Sequence, residues 1–263
     1  MLPVLLRGAA WLTGPRQQGS PYFEVQTMRG VVDLLMVEVD ESALVSRERW
    51  SLPPVVDAPA VAVLLALSRA EAVVDAAGSR ALRVTELAPE VGMSESHLRR
   101  SVMPALADSG WLERSGDEWR ARLRYQQPMR RIVAVEVKRD KWQKALAQAV
   151  HHTSFADATY VALDGARSPH VERASGAFFL AGVGLVAVHA PPAQRPVSKV
   201  IPAAQRRPRG LPRAVVSERV LALRASGARS GPVGHVFGRH LTTSGGEDPR
   251  RFLALSAKPV RPE

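Results

Sequence analysis

Apolar and polar positions alternate twice near the start of the chain, in "YFEVQTM" (22–28) and "VVDLLMVEV" (31–39). A period of two is the mark of a half-buried strand, and Arg29-Gly30 between the runs predicts a tight hairpin. In the second strand Asp33, Leu35, Val37 and Val39 share a face, so an aspartate interrupts an otherwise apolar surface. Residues 40–57 are polar and proline-bearing and read as a linker.

The period then changes. "AVAVLLALSRAEAVVDAAG" has helical spacing and stops at Gly78. Thr85 is placed to cap a helix with Leu87, Ala88 and Val91 on its apolar face, and Gly92 permits a tight turn. Ser94 caps the next helix, 94–109, whose apolar positions are Leu98, Val102, Ala105 and Leu106. Gly110 ends it, and "WLERSGDEWRARL" predicts two short strands around Ser115-Gly116.

Strand alternation returns at 131–138. Val133, Val135 and Val137 point one way; Ile132, Ala134, Glu136 and Lys138 point the other. A buried strand does not place a carboxylate and an ammonium on its inner face unless something holds them there. Two readings follow: a strand end reaching solvent with a cross-face ion pair, or a catalytic pair. Asp140 is placed to cap a helix with a stripe of Trp142, Ala145, Leu146 and Ala149. "ATYVAL" (158–163) and "GVGLVAV" (182–188) are buried strands of the kind found in mixed α/β sheets.

Charge changes the picture at one end only. The chain of 263 residues carries a net charge of +11, but residues 191–263 hold 14 Lys and Arg against 4 Asp and Glu. That segment is rich in proline and arginine and lacks periodicity, which predicts an extended basic tail with a short helix at 214–226. A basic tail points to a polyanionic partner such as nucleic acid. Without cysteine, disulfides, thiolate metal sites and cysteine nucleophiles are excluded. The start, "MLPVLLRGAAWLTGP", is short and broken by Arg7, so it reads as a packing helix over 2–13 rather than a leader. No apolar run reaches transmembrane length, and the expectation is a soluble, cytoplasmic protein.

Two resemblances organise these elements. Helix, helix, tight turn, helix and hairpin over 58–124 resemble a winged helix-turn-helix domain. The resemblance implies a recognition helix at 94–109 presenting Ser94, Ser96, His97, Arg99 and Arg100, with Arg114, Arg120 and Arg122 on the wing. A role in dimerisation or protein docking is the alternative for such a module, and Glu95 among the reading residues favours it. With that insertion set aside, "GVVDLLMV" and "IVAVEVKRDKWQKALAQA…FADATYVAL" resemble the core of the PD-(D/E)XK nuclease superfamily. The implied fold is α/β: a restriction-endonuclease-like mixed sheet core (1–50 and 125–190), the inserted domain and a basic, partly irregular C-terminal segment (191–263).

The same resemblance implies a DNA-cleaving phosphodiester hydrolase that uses Mg²⁺ or Mn²⁺. Asp33, Glu136 and the Val137 carbonyl would hold the cation, and Lys138 would orient water and stabilise the transition state. Divalent cations of this type take oxygen ligands and keep several waters, so two carboxylates suffice. Glu24 is a further catalytic candidate, its other reading being an exposed strand carboxylate paired with Arg29. Gln148 matches a DNA-contacting position of the family's helix. An aromatic residue often follows four positions later in the family, and here His152 stands in its place. His151 and His152 read as a surface pair. DNA is the expected partner, with a homodimer or a protein partner left open and no membrane association. The alternative function is a DNA-binding regulator or scaffold that keeps the nuclease fold without cutting.

Overall fold

The computed structural model describes residues 19–68, 81–167, 173–189 and 197–231, with Leu5, Val171, 235–236 and 239–240. The expected helix over 2–13 (Leu5 apart), the helix end at Gly78, and residues 191–196 and 241–263 of the tail lie outside the described residues. The chain divides into two units. One comprises Met1–Val39, Met129–Pro208 and Leu223–Glu263; the other comprises Asp40–Pro128 and Arg209–Ala222.

The first unit opens with the predicted hairpin, β1 (Ser20–Thr27) and β2 (Gly30–Val39), paired antiparallel. Its turn falls at Met28-Arg29, one residue earlier than expected. Thr27 pairs with Gly30, whose φ of +129° suits only glycine, and the Thr27 hydroxyl accepts the Arg29 N–H at 3.2 Å.

The second unit begins where a linker was expected. Residues 41–49 instead form a helix, α1 (Glu41–Arg49), capped by Asp40, whose Oδ1 accepts the Ser42 N–H at 3.1 Å. Only Ala43 and Arg47 are buried on it, so a narrow and partly charged contact face disguised the helix as polar loop. α2 (Ala58–Leu67) is buried over most of its surface and is capped by Asp57. After 69–80 come β3 (Leu82–Arg83) and α3 (Val84–Val91). Arg83, not Thr85, is the cap of α3, because the Glu86 carboxylate reaches back to the Arg83 N–H at 2.8 Å. Gly92 (φ +68°) closes the helix, and Ser94 caps the next as predicted, its Oγ accepting the His97 N–H.

That next helix, α4, runs Glu95–His97, passes through a π-helical turn Leu98–Val102 and continues Met103–Asp108. Pro104 lacks an N–H and its ring crowds the carbonyl one turn back, so the ladder slips locally to the Met103 N–H→Leu98 C=O bond. β4 (Leu112–Ser115) and β5 (Glu118–Ala121) follow, and the three short strands order as β3-β5-β4. Leu64, Leu67, Leu87, Leu98, Leu106 and Trp111 form the core of this unit.

The chain then re-enters the first unit through β6 (Met129–Val137), α5 (Trp142–His152), β7 (Ala158–Asp164), α6 (Ser175–Ala181), β8 (Gly184–Val188) and β9 (Val197–Ile201). The mixed sheet orders as β1-β2-β6-β7-β8-β9. β6 is antiparallel to β2 and parallel to β7, α5 making the crossover. One sheet face buries Leu34, Met36, Val133, Val135 and Val137 with Leu5. On the other, Ala145 and Ala149 of α5 pack against Val161, Leu163 and Leu185.

The tail departs from expectation in part. Residues 197–201 pair antiparallel with β8, whereas the helix expected at 214–226 is present as α7 (Leu211–Ala225), starting three residues earlier. α7 buries Ala214 and Val215 in the core of the second unit. Its buried face also carries Arg213 and Glu218. Among the described residues no helix is long and apolar enough to cross a membrane.

Candidate active site

The register sets the site. Leu34 pairs with Val135 and Leu35 with Ala134, so one further step along both strands brings Asp33 opposite Glu136. Both then lie on the α5 side of the sheet, as the alternation of valines predicts. Lys138 follows the last strand residue, its N–H still joined to the Ala162 carbonyl at 3.0 Å.

The three side chains converge. Lys138 Nζ stands 2.7 Å from Glu136 Oε1 and 3.3 Å from Asp33 Oδ2. The two carboxylates are therefore no more than about 6 Å apart, close enough to shift each other's ionisation. Asp33 Oδ2 also accepts the Val137 N–H at 2.7 Å. Val137 thus meets the site through its amide. Burial and then the Glu136 charge push the Asp33 carboxyl up, with the Val137 N–H and Lys138 pulling against them. Burial also works to raise Glu136, which is fully enclosed, but hydrogen bonding to His152 and the Lys138 ammonium outweigh it and hold the carboxyl below its ordinary value. Burial disfavours the Lys138 ammonium; Glu136 and Asp33 overcome that and raise its pKa.

Glu24 lies across the hairpin from Asp33, between the pairs Phe23–Leu34 and Val25–Val32. No ion pair joins it to Arg29 among the described residues. Its φ is +48°, a left-handed backbone that costs a non-glycine residue of order 1–3 kcal/mol. Residues 229–231 hold it there. Phe23 N–H bonds the Arg229 carbonyl at 2.8 Å and Gly231 N–H bonds the Phe23 carbonyl at 3.0 Å. Any side chain at Gly231 would collide with the Glu24 carbonyl. Burial and the neighbouring Asp33 charge raise the Glu24 carboxyl, so it belongs to the same electrostatic cluster.

His152 was not foreseen. It is buried, not on the surface as expected, and its Nε2 lies 3.3 Å from Glu136 Oε2, while His151 is exposed. Its Nδ1 is enclosed without a partner. The signal was in the spacing: Ala145, Ala149 and His152 fall four and three apart, on the apolar stripe of α5. Gln148, one turn earlier, is half-buried, and its Oε1 has no hydrogen-bond partner.

The donor set fits a hard divalent cation. Glu136 Oε1 is enclosed and lies 2.7 Å from Lys138 Nζ, while a carboxylate oxygen has more than one lone pair to offer. Oxygen ligands of this kind suit Mg²⁺ or Mn²⁺. Among the described residues no group of three or more His, Asp or Glu side chains is arranged to hold a metal, so protein ligation would rest on Asp33, Glu136 and main-chain oxygen.

In the second unit Ser94, Ser96, His97, Arg99 and Arg100 are all exposed, opposite the buried Leu98 and Val102. Arg99 pairs with Glu95 at 3.4 Å, and Arg100 bonds the Ser96 hydroxyl. On the β4–β5 hairpin Arg114 stacks over Trp119 and bonds the Gly116 carbonyl. Arg120 and Arg122 both lean on Glu113, at 3.5 and 3.0 Å.

Comparison of the chain with protein-family models, curated proteins and solved structures returns no match.

Proposed function

We propose that the protein is a metal-dependent deoxyribonuclease of the PD-(D/E)XK type that hydrolyses phosphodiester bonds, carried to duplex DNA by a winged helix in its second unit. The observation that carries this reading is the convergence of Asp33 and Glu136 on Lys138 at one spot of a mixed sheet. The mixed sheet, with antiparallel β1-β2-β6 and a helical crossover to parallel β7, supports it, because a mixed sheet core is what the resemblance implies. The β3-β5-β4 sheet beside α3 and α4 likewise supports the winged helix.

Asp33 and Glu136 would hold the cation, which when bound activates water and offsets charge on the phosphate. Lys138, half-exposed on a flexible stem, presents an ammonium to the phosphoryl oxygens as their charge grows in the transition state. His152 fixes one oxygen of Glu136 and so turns the other toward Lys138. The Val137 N–H holds Asp33 by Oδ2, the same oxygen that Lys138 approaches. The exposed face of α4 would lie against DNA, with the exposed cations Lys199, Arg206, Arg207 and Arg209 adding sequence-independent phosphate contacts. A cytoplasmic setting belongs to this reading and is supported by the absence of cysteine.

The test is incubation of purified protein with duplex, nicked and branched DNA in Mg²⁺ or Mn²⁺ and in EDTA. Metal-dependent cutting lost in Glu136→Gln is the expected result. Binding without cutting under every condition would establish the second reading, a non-cleaving DNA-binding regulator.

A further inference from the structure

Lys138 already pairs with both of the carboxylates that would share a cation. Its Nζ is 2.7 Å from Glu136 Oε1 and 3.3 Å from Asp33 Oδ2. A divalent cation held by the same two oxygens would compete with the ammonium for them, and two cations drawn to one pair of carboxylate oxygens repel each other. The remaining surroundings explain why an ammonium is held there: Glu24, Asp33 and Glu136 act on one another as like charges, and Lys138 is the cation that acts on all three. Three carboxylates and one ammonium still leave the cluster short of positive charge, which a divalent ion would supply more fully than a lysine.

We propose that Lys138 is the resident counter-ion of the metal-free site, and that a divalent cation binds by displacing its ammonium from between Asp33 and Glu136. The inference rests on the metal reading above and adds a mechanism of loading to it. The lysine stem is four carbons long and flexible, and the side chain is 30% exposed, so the displaced head has a route toward solvent. That movement also brings the ammonium out to where a phosphate would lie. Metal binding would thereby arm the residue, and the free protein would keep its acids neutralised and its catalytic cation engaged.

Two measurements decide it, neither of which depends on cleavage. Mn²⁺ titration by calorimetry compares the wild-type protein with Lys138→Met and Lys138→Gln, with circular dichroism as the check on folding. Displacement predicts that both variants bind Mn²⁺ at least tenfold more tightly than wild type, because no resident cation has to leave. Equal or weaker binding overturns the proposal. If the variants do not fold, reductive methylation of the wild-type protein followed by peptide mass spectrometry gives the answer. Lys138 should react slowly in EDTA and several-fold faster in Mg²⁺; an unchanged or slower reaction in Mg²⁺ overturns displacement. Failure of the wild-type protein to bind Mn²⁺ at all would instead remove the metal reading itself, which separates the two failures.

Discussion

His152 Nε2 meets Glu136 Oε2 at 3.3 Å inside the first unit, joining the end of α5 to the last turn of β6. Groups that hold a ligating carboxylate from behind matter to affinity about 10–100-fold when lost. His152→Ala is therefore expected to weaken Mn²⁺ binding by about that factor. His152→Gln, which keeps an N–H donor at similar reach, should restore most of it. A merely space-filling histidine would show no such rescue, and His152→Phe would then be the better replacement.

Asp33 and Glu136 respond to pH in opposite directions. Burial and the Glu136 charge raise Asp33, so the folded state holds its proton more tightly than the unfolded chain does. The stability this group contributes is present at low pH and is lost as pH rises from its ordinary value of 3.8 through the folded one. Asp33→Asn removes that cost and leaves an oxygen for the Val137 N–H. The metal-free variant should melt a few degrees higher at pH 7, each 1 kcal/mol being worth about 2–4 °C in a chain of this size. Glu136 is held down, so its contribution is present above 4.5 and lost as pH falls through its folded value. Glu136→Gln should accordingly lower the melting temperature near neutrality, the difference closing in acid. A destabilised Asp33→Asn variant at pH 7 would show the sign to be wrong.

The β6 valines made the site legible. Their strict alternation fixed which face Glu136 occupies, while the link from Glu136 to Asp33, about 100 residues away, came from the family resemblance and not from the alternation. Ser94, Gly92 and Gly110 punctuated the second unit for the same local reason: caps and left-handed turns are written in single residues. What stayed hidden was charge inside packed faces. Arg47 on α1 and Glu218 on α7 are enclosed and paired, yet in sequence they read as surface, which made α1 look like linker and left the helix at 214–226 with no sign that it packs into a core. Pairing across 171 residues leaves no local trace.

That buried pair is the basis of a stability prediction. Arg47 Nη2 and Nη1 bond Glu218 Oε1 and Oε2 at 2.6 and 3.0 Å, and Glu218 Oε2 also accepts the Val55 N–H at 2.9 Å. The guanidinium stacks over Trp111 at 5.0 Å and Tyr125 at 5.3 Å. Removing one partner leaves the other charged and enclosed, so Arg47→Ala should cost about 3–5 kcal/mol in urea unfolding. Arg47→Met with Glu218→Leu should cost much less. Truncation before Leu211 removes Glu218 along with the buried Ala214 and Val215, and should leave a protein that aggregates. A soluble, cooperatively folded truncation would show that α7 is dispensable to the second unit.

The wing offers the cleanest separation of DNA binding from docking. Glu113 holds Arg120 and Arg122 through exposed ion pairs, which are worth at most about 1 kcal/mol each, so Glu113→Gln should scarcely alter stability. It releases the Arg122 guanidinium, removes one partner of Arg120 and takes away a charge that repels phosphate. If the second unit binds duplex DNA, affinity should rise, and the salt dependence should steepen by about 0.9 for each phosphate newly engaged. Arg99→Ala with Arg100→Ala should act in the opposite sense, each good base or phosphate contact being worth about 1–3 kcal/mol. Folding should survive, because both side chains lie opposite Leu98 and Val102. The measurement is fluorescence anisotropy of a labelled duplex across a salt series, with light scattering on the same samples. If neither variant moves DNA affinity and the measured mass changes instead, the second unit is a docking module and the DNA-binding assignment of α4 is lost.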